Sequence, residues 1–290
     1  TVDQHSGDLW VTNAGTSIFY KLKLNKNSNN NNVTIVKFVT SKPSDRIFGT
    51  TYRDISGVIA YTLPYWIKNA GRSFWFNEWE GNKIARFDPS QRTLIEYWIP
   101  SQNRLWGTCP SFNKIINSSV SNNIKQTCGI ANILQFSIEK RDDNSGNAQQ
   151  IWFTEWSENK IGKVDAIDRH LPFSVNIQSN LEKKELTIKR GESEKIKIKV
   201  KTAGTSAFHS TNDNFIHMVV SGTFTTTGNL NNSLGHFSKN SFTIDGHKKK
   251  EIITFIFTPS KDFMPGHYML MIGAENNAIS FLKAIAVKIT

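Results

Sequence analysis

The sequence predicts an all-β protein in which a partial β-propeller of about three four-stranded blades is followed by an immunoglobulin-like β-sandwich. An aromatic segment occurs twice, at 73–88 and 150–165, with a weaker copy at 8–22, and internal repeats are the first guide to architecture. The rest of the chain has short alternating segments between turn residues, and no useful helical periodicity. We therefore expect propeller blades in 1–170, incomplete at the N-terminus, and a sandwich in 171–290.

Each repeat is predicted to fold as one antiparallel blade. The aromatic run 74–76 is typical of a buried strand, and the polar residues 78–82 are typical of a turn. Residues 83–87 alternate between polar and apolar side chains, as a half-buried strand does. With further strands at 64–68 and 93–98, the segment contains the four short strands of a propeller blade.

The tryptophans of the two strong repeats have distinct expected roles. Trp75 and Trp152 lie within the aromatic strands, so we expect them in the blade core. Trp79 and Trp156 follow four residues later, in the turns. They are expected to pack between blades, and a carbohydrate-stacking platform is the alternative role.

Eight strands are predicted in the second part of the chain, with turn residues such as Arg190-Gly191-Glu192 between them. This spacing favours a sandwich of the immunoglobulin type, although the Cys…Trp…Cys pattern of antibody domains is absent from the sequence. The predicted strands are 174–178, 185–189, 195–201, 216–221, 241–244, 251–257, 268–274 and 280–289.

The formal charge of +11 is spread over both parts of the chain. Residues 1–170 contain 20 basic and 15 acidic residues, and residues 171–290 contain 15 and 9. The strict Lys alternation at 195–201 predicts a solvated face that protects a strand edge, or else attraction to an anionic envelope. No recognition motif supports nucleic-acid binding.

The two cysteines, Cys109 and Cys128, bracket a segment rich in Asn and Ser. A disulfide between them is the preferred interpretation and implies an oxidising compartment; two buried free thiols are the alternative, and a metal pair lacks ligand spacing. Asn32, Asn117 and Asn231 begin glycosylation sequons. These features predict an extracellular or cell-surface location.

The repeat pattern Trp-Phe-Thr-Glu-x-x-x-Asn-Lys-Ile-Gly-x-x-Asp at 152–165, together with Leu-Ile-Glu-Tyr-x-Ile-Pro at 94–100, resembles a known family. It is similar to the repeat of the virginiamycin B lyase-like propellers, among the streptogramin lyases and NHL-type repeat proteins. The resemblance covers about the first 170 residues. It implies a propeller whose lyase members use His and Glu near a central channel, with Mg²⁺, to eliminate across an ester.

The resemblance also assigns positions within the repeats. It places Tyr65 and Cys128 at the channel mouth, where a catalytic His is wanted, so the catalytic residues stay unassigned. Glu78 and Glu155 match the family's Glu position, where they could ligate Mg²⁺ or Ca²⁺. In the alternative, structural role each Glu accepts backbone N–H groups or pairs with a neighbouring Lys or Arg.

Two functions follow from these observations. The first is a binding or scaffold module of the cell envelope whose partners are other envelope proteins, a polysaccharide, or another chain that completes the propeller. The second is a lyase, or a related propeller enzyme, whose divalent-metal site lies partly outside this chain.

Overall fold

In a computed structural model the protein is all-β, as the sequence predicts. The structure describes residues 1–24, 32–42, 61–103, 129–143, 145–167, 171–177, 185–202, 215–224, 234–243 and 250–290. These described residues form nineteen strands and one short 3₁₀ helix, Trp156–Glu158. In this part of the chain no helix has the length and apolar character needed to cross a membrane.

The three repeats fold into three antiparallel meanders. The strands predicted between Pro64 and Trp98 are all present, and they form the second meander. The first meander contains β1 (Leu9–Thr12), β2 (Ile18–Leu24) and β3 (Val33–Val39). The second contains β4 (Pro64–Ala70), β5 (Ser73–Glu78), β6 (Lys83–Asp88) and β7 (Thr93–Trp98). The third contains β8 (Ile133–Lys140), β9 (Ala148–Glu155) and β10 (Lys160–Asp165).

The meanders pack face to face, with the second between the other two. Trp10 of the first meander stacks on Phe74 of the second with ring centroids 4.7 Å apart. On the opposite face of the second meander, Trp75 shares one buried apolar cluster with Ile151 and Phe153 of the third. Each interface is therefore built from the aromatic strands of the repeat.

The tryptophan predictions have mixed outcomes. Trp75 is buried, as predicted, but Trp152 is 42% exposed, so its assignment to the core is wrong. It lies on the face of the third meander that points away from the second. Trp79 donates its indole N–H to Asn132 Oδ1, which joins the second and third meanders as expected. Trp156 is 55% exposed.

A left-handed asparagine closes the tight turn in each strong repeat. Asn82 has φ 54° and Asn159 has φ 52°, a conformation that Asn tolerates better than most residues. The Asn82 amide donates to the carbonyl oxygens of Ile99 and Ser101 at 2.9 and 3.0 Å, and its oxygen accepts the Ala131 N–H at 2.8 Å. This turn residue therefore ties the second meander to the segment that leads into the third.

The second part of the chain forms a two-layered β-sandwich. Each of the eight predicted strands overlaps an observed one, and only the short β15 was missed. A four-stranded sheet, β11-β13-β17-β15, shares a buried core with β14, β16, β18, β19 and β12. The strands are β11 (Phe173–Ile177), β12 (Leu186–Ile188), β13 (Glu194–Thr202), β14 (Phe215–Gly222), β15 (Gly235–Phe237), β16 (Ser241–Thr243), β17 (Lys250–Phe257), β18 (Gly266–Glu275) and β19 (Ile279–Ile289).

The propeller prediction is wrong. In a propeller each blade is a separate sheet arranged around a central channel. Here β7 pairs antiparallel with β19, from Ile279 opposite Tyr97 to Lys283 opposite Thr93. The second meander thereby becomes part of a nine-stranded sheet ordered β16-β14-β18-β19-β7-β6-β5-β4, with β12 beside β19. None of the sheets formed by the described residues belongs to a propeller.

The lysine-rich strand also differs from expectation. Residues 195–201 lie in β13, which pairs with β11 on one side and β17 on the other. Its lysines therefore line a sheet face and do not protect a free edge. The division of the chain at residue 170 stays a prediction. The parts on either side of it share the nine-stranded sheet.

Candidate functional site

Glu78 and Glu155, the predicted metal ligands, occupy equivalent positions in different sheets. Glu78 ends β5 and Glu155 ends β9, and both are buried. Among the described residues no group of three or more His, Cys, Asp or Glu side chains is arranged to hold a metal ion. Glu78 instead lies 3.6 Å from the Lys83 ammonium, which matches the structural role considered for it. The metal-binding role of the two glutamates remains a prediction.

The other predicted site residues are scattered. Tyr65 is on β4 with 40% of its surface exposed, and its ring lies 5.7 Å from that of Trp79. Asn32 is exposed and immediately precedes β3. Outside the described residues lie Cys109, Cys128, Asn117 and Asn231.

A buried charge cluster, formed by Ser41, Glu78, Lys83 and Glu96, lies where the second meander packs against the first. Lys83 and Glu78 are cross-strand partners on β6 and β5. Lys83 Nζ lies 3.1 Å from Glu96 Oε2. Ser41 donates its backbone N–H to Glu96 Oε1 at 2.7 Å and its hydroxyl to Glu96 Oε2, and it accepts a hydrogen bond from Lys83. All four side chains are buried.

Burial and neighbouring charges shift the pKa values of two groups in this cluster, Glu78 and Lys83. It raises the pKa of Glu78 well above the ordinary value of 4.5, and the neighbouring Glu96 raises it further, while Lys83 lowers it. Burial lowers the pKa of Lys83, but the carboxyl groups of Glu78, Glu96 and Glu275 outweigh burial, so the Lys83 pKa is raised overall. Lys83 is therefore a buried ammonium held by Glu96, beside a Glu78 whose neutral form is favoured by burial.

The buried charge cluster is a structural device. A serine beside a lysine can act as a nucleophile only when the amine is unprotonated and substrate reaches the hydroxyl. The raised pKa keeps Lys83 protonated, and Ser41 is only 2% exposed. The cluster therefore fixes the segment after β3 onto the second meander.

We expect the raised pKa of Glu78 to make stability depend on pH. The folded protein holds this proton more tightly than the unfolded chain does, so the protonated carboxyl contributes stability that is fully present below about pH 4.5. That contribution is lost as the pH rises toward the folded pKa, by about 1.4 kcal/mol per pH unit. Glu78→Gln removes this loss.

Urea unfolding of the wild type and of Glu78→Gln at about pH 5 and about pH 8 measures the effect. The variant should gain stability relative to the wild type as the pH rises. Equal changes in the unfolding free energies of the two proteins would contradict a raised pKa of Glu78.

A cleft of about 510 Å³ lies between the nine-stranded sheet and the edge of the four-stranded sheet. Its wall comes from β11, β13 and the segment just before β11, and includes Leu171, Phe173 and Lys201. The floor of the cleft is a sheet face, on which residues paired across neighbouring strands lie side by side. The floor consists of two cross-strand rows over β6, β7 and β19, namely Arg86–Ile95–Phe281 and Asp88–Thr93–Lys283.

The cleft is cationic. Arg86, Lys201 and Lys283 line it against one acidic residue, Asp88. Lys283 is only 5% exposed and donates to the Gln91 carbonyl oxygen at 3.1 Å. The Asp88 carboxylate accepts the Gln91 N–H at 3.0 Å, so it is engaged in its own turn. Basic side chains of two different sheets thus line one cleft, an arrangement that suits an anionic ligand.

Sequence reasoning found one member of the buried charge cluster and none of the cleft. Glu78 was identified, but its partners Lys83 and Glu96 were not. The available signal was Glu96, the one charged residue of the otherwise mostly apolar and aromatic strand β7. For the cleft no such signal exists, because Arg86 and Lys201 are far apart in sequence and meet only through the β7–β19 pairing.

Comparison with known proteins leaves the family open. No family model matches the sequence, and no curated protein matches it. Among solved structures, the periplasmic chaperone SfaE is 12% identical over 40% of this chain and 56% of its own, with a TM-score of 0.24. A PapD-like domain of human CEP192 is 11% identical over 44% and 92%, with a TM-score of 0.26. A set of titin domains is 14% identical over 68% and 59%, with a TM-score of 0.25.

The resemblance to virginiamycin B lyase-like propellers is therefore wrong. No family model supports it, and the repeats build meanders of a stacked, antiparallel assembly. The match with SfaE spans only 56% of the chaperone's length. These structural similarities are too weak to indicate what the chain binds, so its function has to be argued from its own surface.

Proposed function

We propose that the chain is a binding module of the cell surface that holds an acidic segment of another envelope protein in the cationic cleft. The observation that carries the proposal is that Arg86 and Lys283 of the nine-stranded sheet and Lys201 of the four-stranded sheet line the same cleft. A carboxylate entering the cleft meets cations on both sides.

The chemistry of the lining fits acidic side chains. Arg binds carboxylates in a bidentate geometry, while Lys adds a point charge that attracts the ligand over a longer range. A volume of about 510 Å³ lies within the usual range of ligand sites, roughly 300–1,000 Å³, and holds a few residues of an extended segment.

The scaffold suits a binding role because the cleft residues are held by strands. Arg86 lies in β6, Lys201 in β13 and Lys283 in β19, and side chains on strands are held more rigidly than those on loops. The sandwich of the second part, which we take to be of the immunoglobulin type, supplies one wall. The exposed sequon at Asn32 supports a location outside the cell.

A labelled hexaglutamate peptide tests the proposal by fluorescence anisotropy at low ionic strength. We expect it to bind and to be released by salt, whereas a hexalysine peptide should not bind. Lys201→Glu should weaken hexaglutamate binding by about tenfold or more, because it reverses one wall charge.

The matched control is Lys195→Glu. Lys195 is exposed on the same strand, β13, but it does not line the cleft. Both variants change the net charge equally, so a general charge effect would weaken binding equally in both. Equal losses, or no binding of hexaglutamate to the wild type, would overturn the proposal.

A further inference from the structure

A tryptophan–cation pair recurs at the same position in all three meanders. In each meander the tryptophan is on the aromatic strand, and its cross-strand partner carries the charge over the ring. The cation lies 5.7, 5.8 and 5.2 Å from the ring centroid in the pairs Trp10–Lys21, Trp75–Arg86 and Trp152–Lys163. The three meanders thus present equivalent side chains on this face.

The next meander covers two of these three pairs. Trp10 is fully buried against Phe74 of the second meander, and Trp75 is 1% exposed in the cluster that it shares with the third. Trp152 is 42% exposed. We call the surface formed by Trp152, Thr154, Ile161 and Lys163 the trailing face. Ile161, on the strand beside Trp152, is 75% exposed.

The opposite face shows the complementary pattern. In the second and third meanders the residues on either side of the tryptophan are buried against the preceding meander, as Phe74 and Phe76 are. Their equivalents in the first meander, Leu9 and Val11, are 39% and 38% exposed. Cross-strand neighbours extend this apolar surface, including Ile35, which is 57% exposed. The leading face is formed by Leu9, Val11, Leu22, Val33 and Ile35.

We propose that the leading face binds the trailing face of a second copy of this chain. The two exposed faces are the two halves of an interface that the chain already forms twice internally, first to second meander and second to third. In the complex Trp152 of one copy would take the position over Leu9 and Val11 that Trp10 has over Phe74. Because the two faces differ, the association is head to tail rather than two-fold symmetric. These surfaces do not include the cationic cleft.

Sedimentation velocity over concentrations up to about 1 mM tests the proposal, since weak interfaces are populated in that range. We expect the wild type to self-associate. Ile35→Lys places a charge on the leading face, and Trp152→Glu places one on the trailing face. Each variant should lose self-association, with the dissociation constant raised at least about tenfold. Ile252→Lys is the matched control, because Ile252 is 51% exposed on β17, outside both faces.

Mixing the two variants separates head-to-tail binding from other modes. Ile35→Lys keeps an intact trailing face and Trp152→Glu an intact leading face, so an equimolar mixture should form dimers and no larger species. Circular dichroism establishes that both variants are folded. A monomeric wild type, a mixture that stays monomeric, or an Ile252→Lys protein that fails to associate would each overturn the proposal.

Discussion

Replacing Glu96 by Gln is expected to destabilise the protein by about 3 kcal/mol, because it leaves a buried ammonium without its carboxylate. Lys83 is fully buried, and Glu96 Oε2 is 3.1 Å from its Nζ. The backbone N–H of Ser41 also loses a carboxylate acceptor. The loss is placed at the lower end of the range for broken buried pairs because a second carboxyl group, that of Glu78, remains 3.6 Å from Lys83.

Glu78→Gln is the matched control, with the same change of a buried Glu in the same cluster. Because burial raises the pKa of Glu78 and favours its neutral form, its neutral isostere should cost less than the same change at Glu96. The double variant Glu78→Gln/Glu96→Gln should lose more than the two single losses together, since the cluster then offers Lys83 no carboxyl group. Urea unfolding at neutral pH measures all three variants. Similar losses for the two single variants would refute this difference between Glu78 and Glu96.

Gly273→Ala is expected to cost at least about 3 kcal/mol, because the new methyl group would collide with backbone. A Cβ at Gly273 would overlap the Phe281 carbonyl oxygen and would lie 2.8 Å from Leu282 Cα. Both atoms belong to β19, which is paired with β18 along its length. The strand cannot retreat without breaking the ladder at the centre of the nine-stranded sheet.

Gly266→Ala provides the control within the same strand. A Cβ at Gly266 would lie 3.4 Å from the nearest atoms, which are in the side chain of Tyr268, an ordinary contact distance. We expect this variant to be as stable as the wild type within about 0.5 kcal/mol. The melting temperatures of both variants, measured by thermal unfolding, test this prediction. A Gly273→Ala protein with the melting temperature of Gly266→Ala would show that the sheet can relax.

Local features of this fold follow from the sequence, whereas the arrangement of its sheets does not. Alternation and turn residues predict the strands from Pro64 to Trp98, because hairpins depend on short-range patterns. The same patterns do not determine which strand lies beside β7. Trp152 shows the limit clearly, since its repeat position matches that of Trp75, yet its exposure depends on whether another sheet follows. Repeats specify an interface without specifying how many times it is formed.

The candidate site likewise combines residues that local sequence patterns identify with contacts that depend on how the sheets are arranged. Glu78 could be identified because it belongs to the repeat, and its pairing with a lysine was one of the roles considered for it. Glu96 could not be assigned as the partner of Lys83, since that contact requires the register of β6 on β7. Arg86 and Lys201 are ordinary basic residues in the sequence. They line one cleft only because β19 joins the two parts of the chain.

The β7–β19 pairing also bears on how the protein is made. The Trp98 indole donates to the Ser280 hydroxyl at 2.9 Å across a sequence separation of 182 residues. At about 5–20 residues per second, a ribosome needs roughly 10–40 s to synthesise that interval. Throughout this time β7 presents an open strand edge to other nascent chains. Completion of the nine-stranded sheet is therefore a late event in biosynthesis.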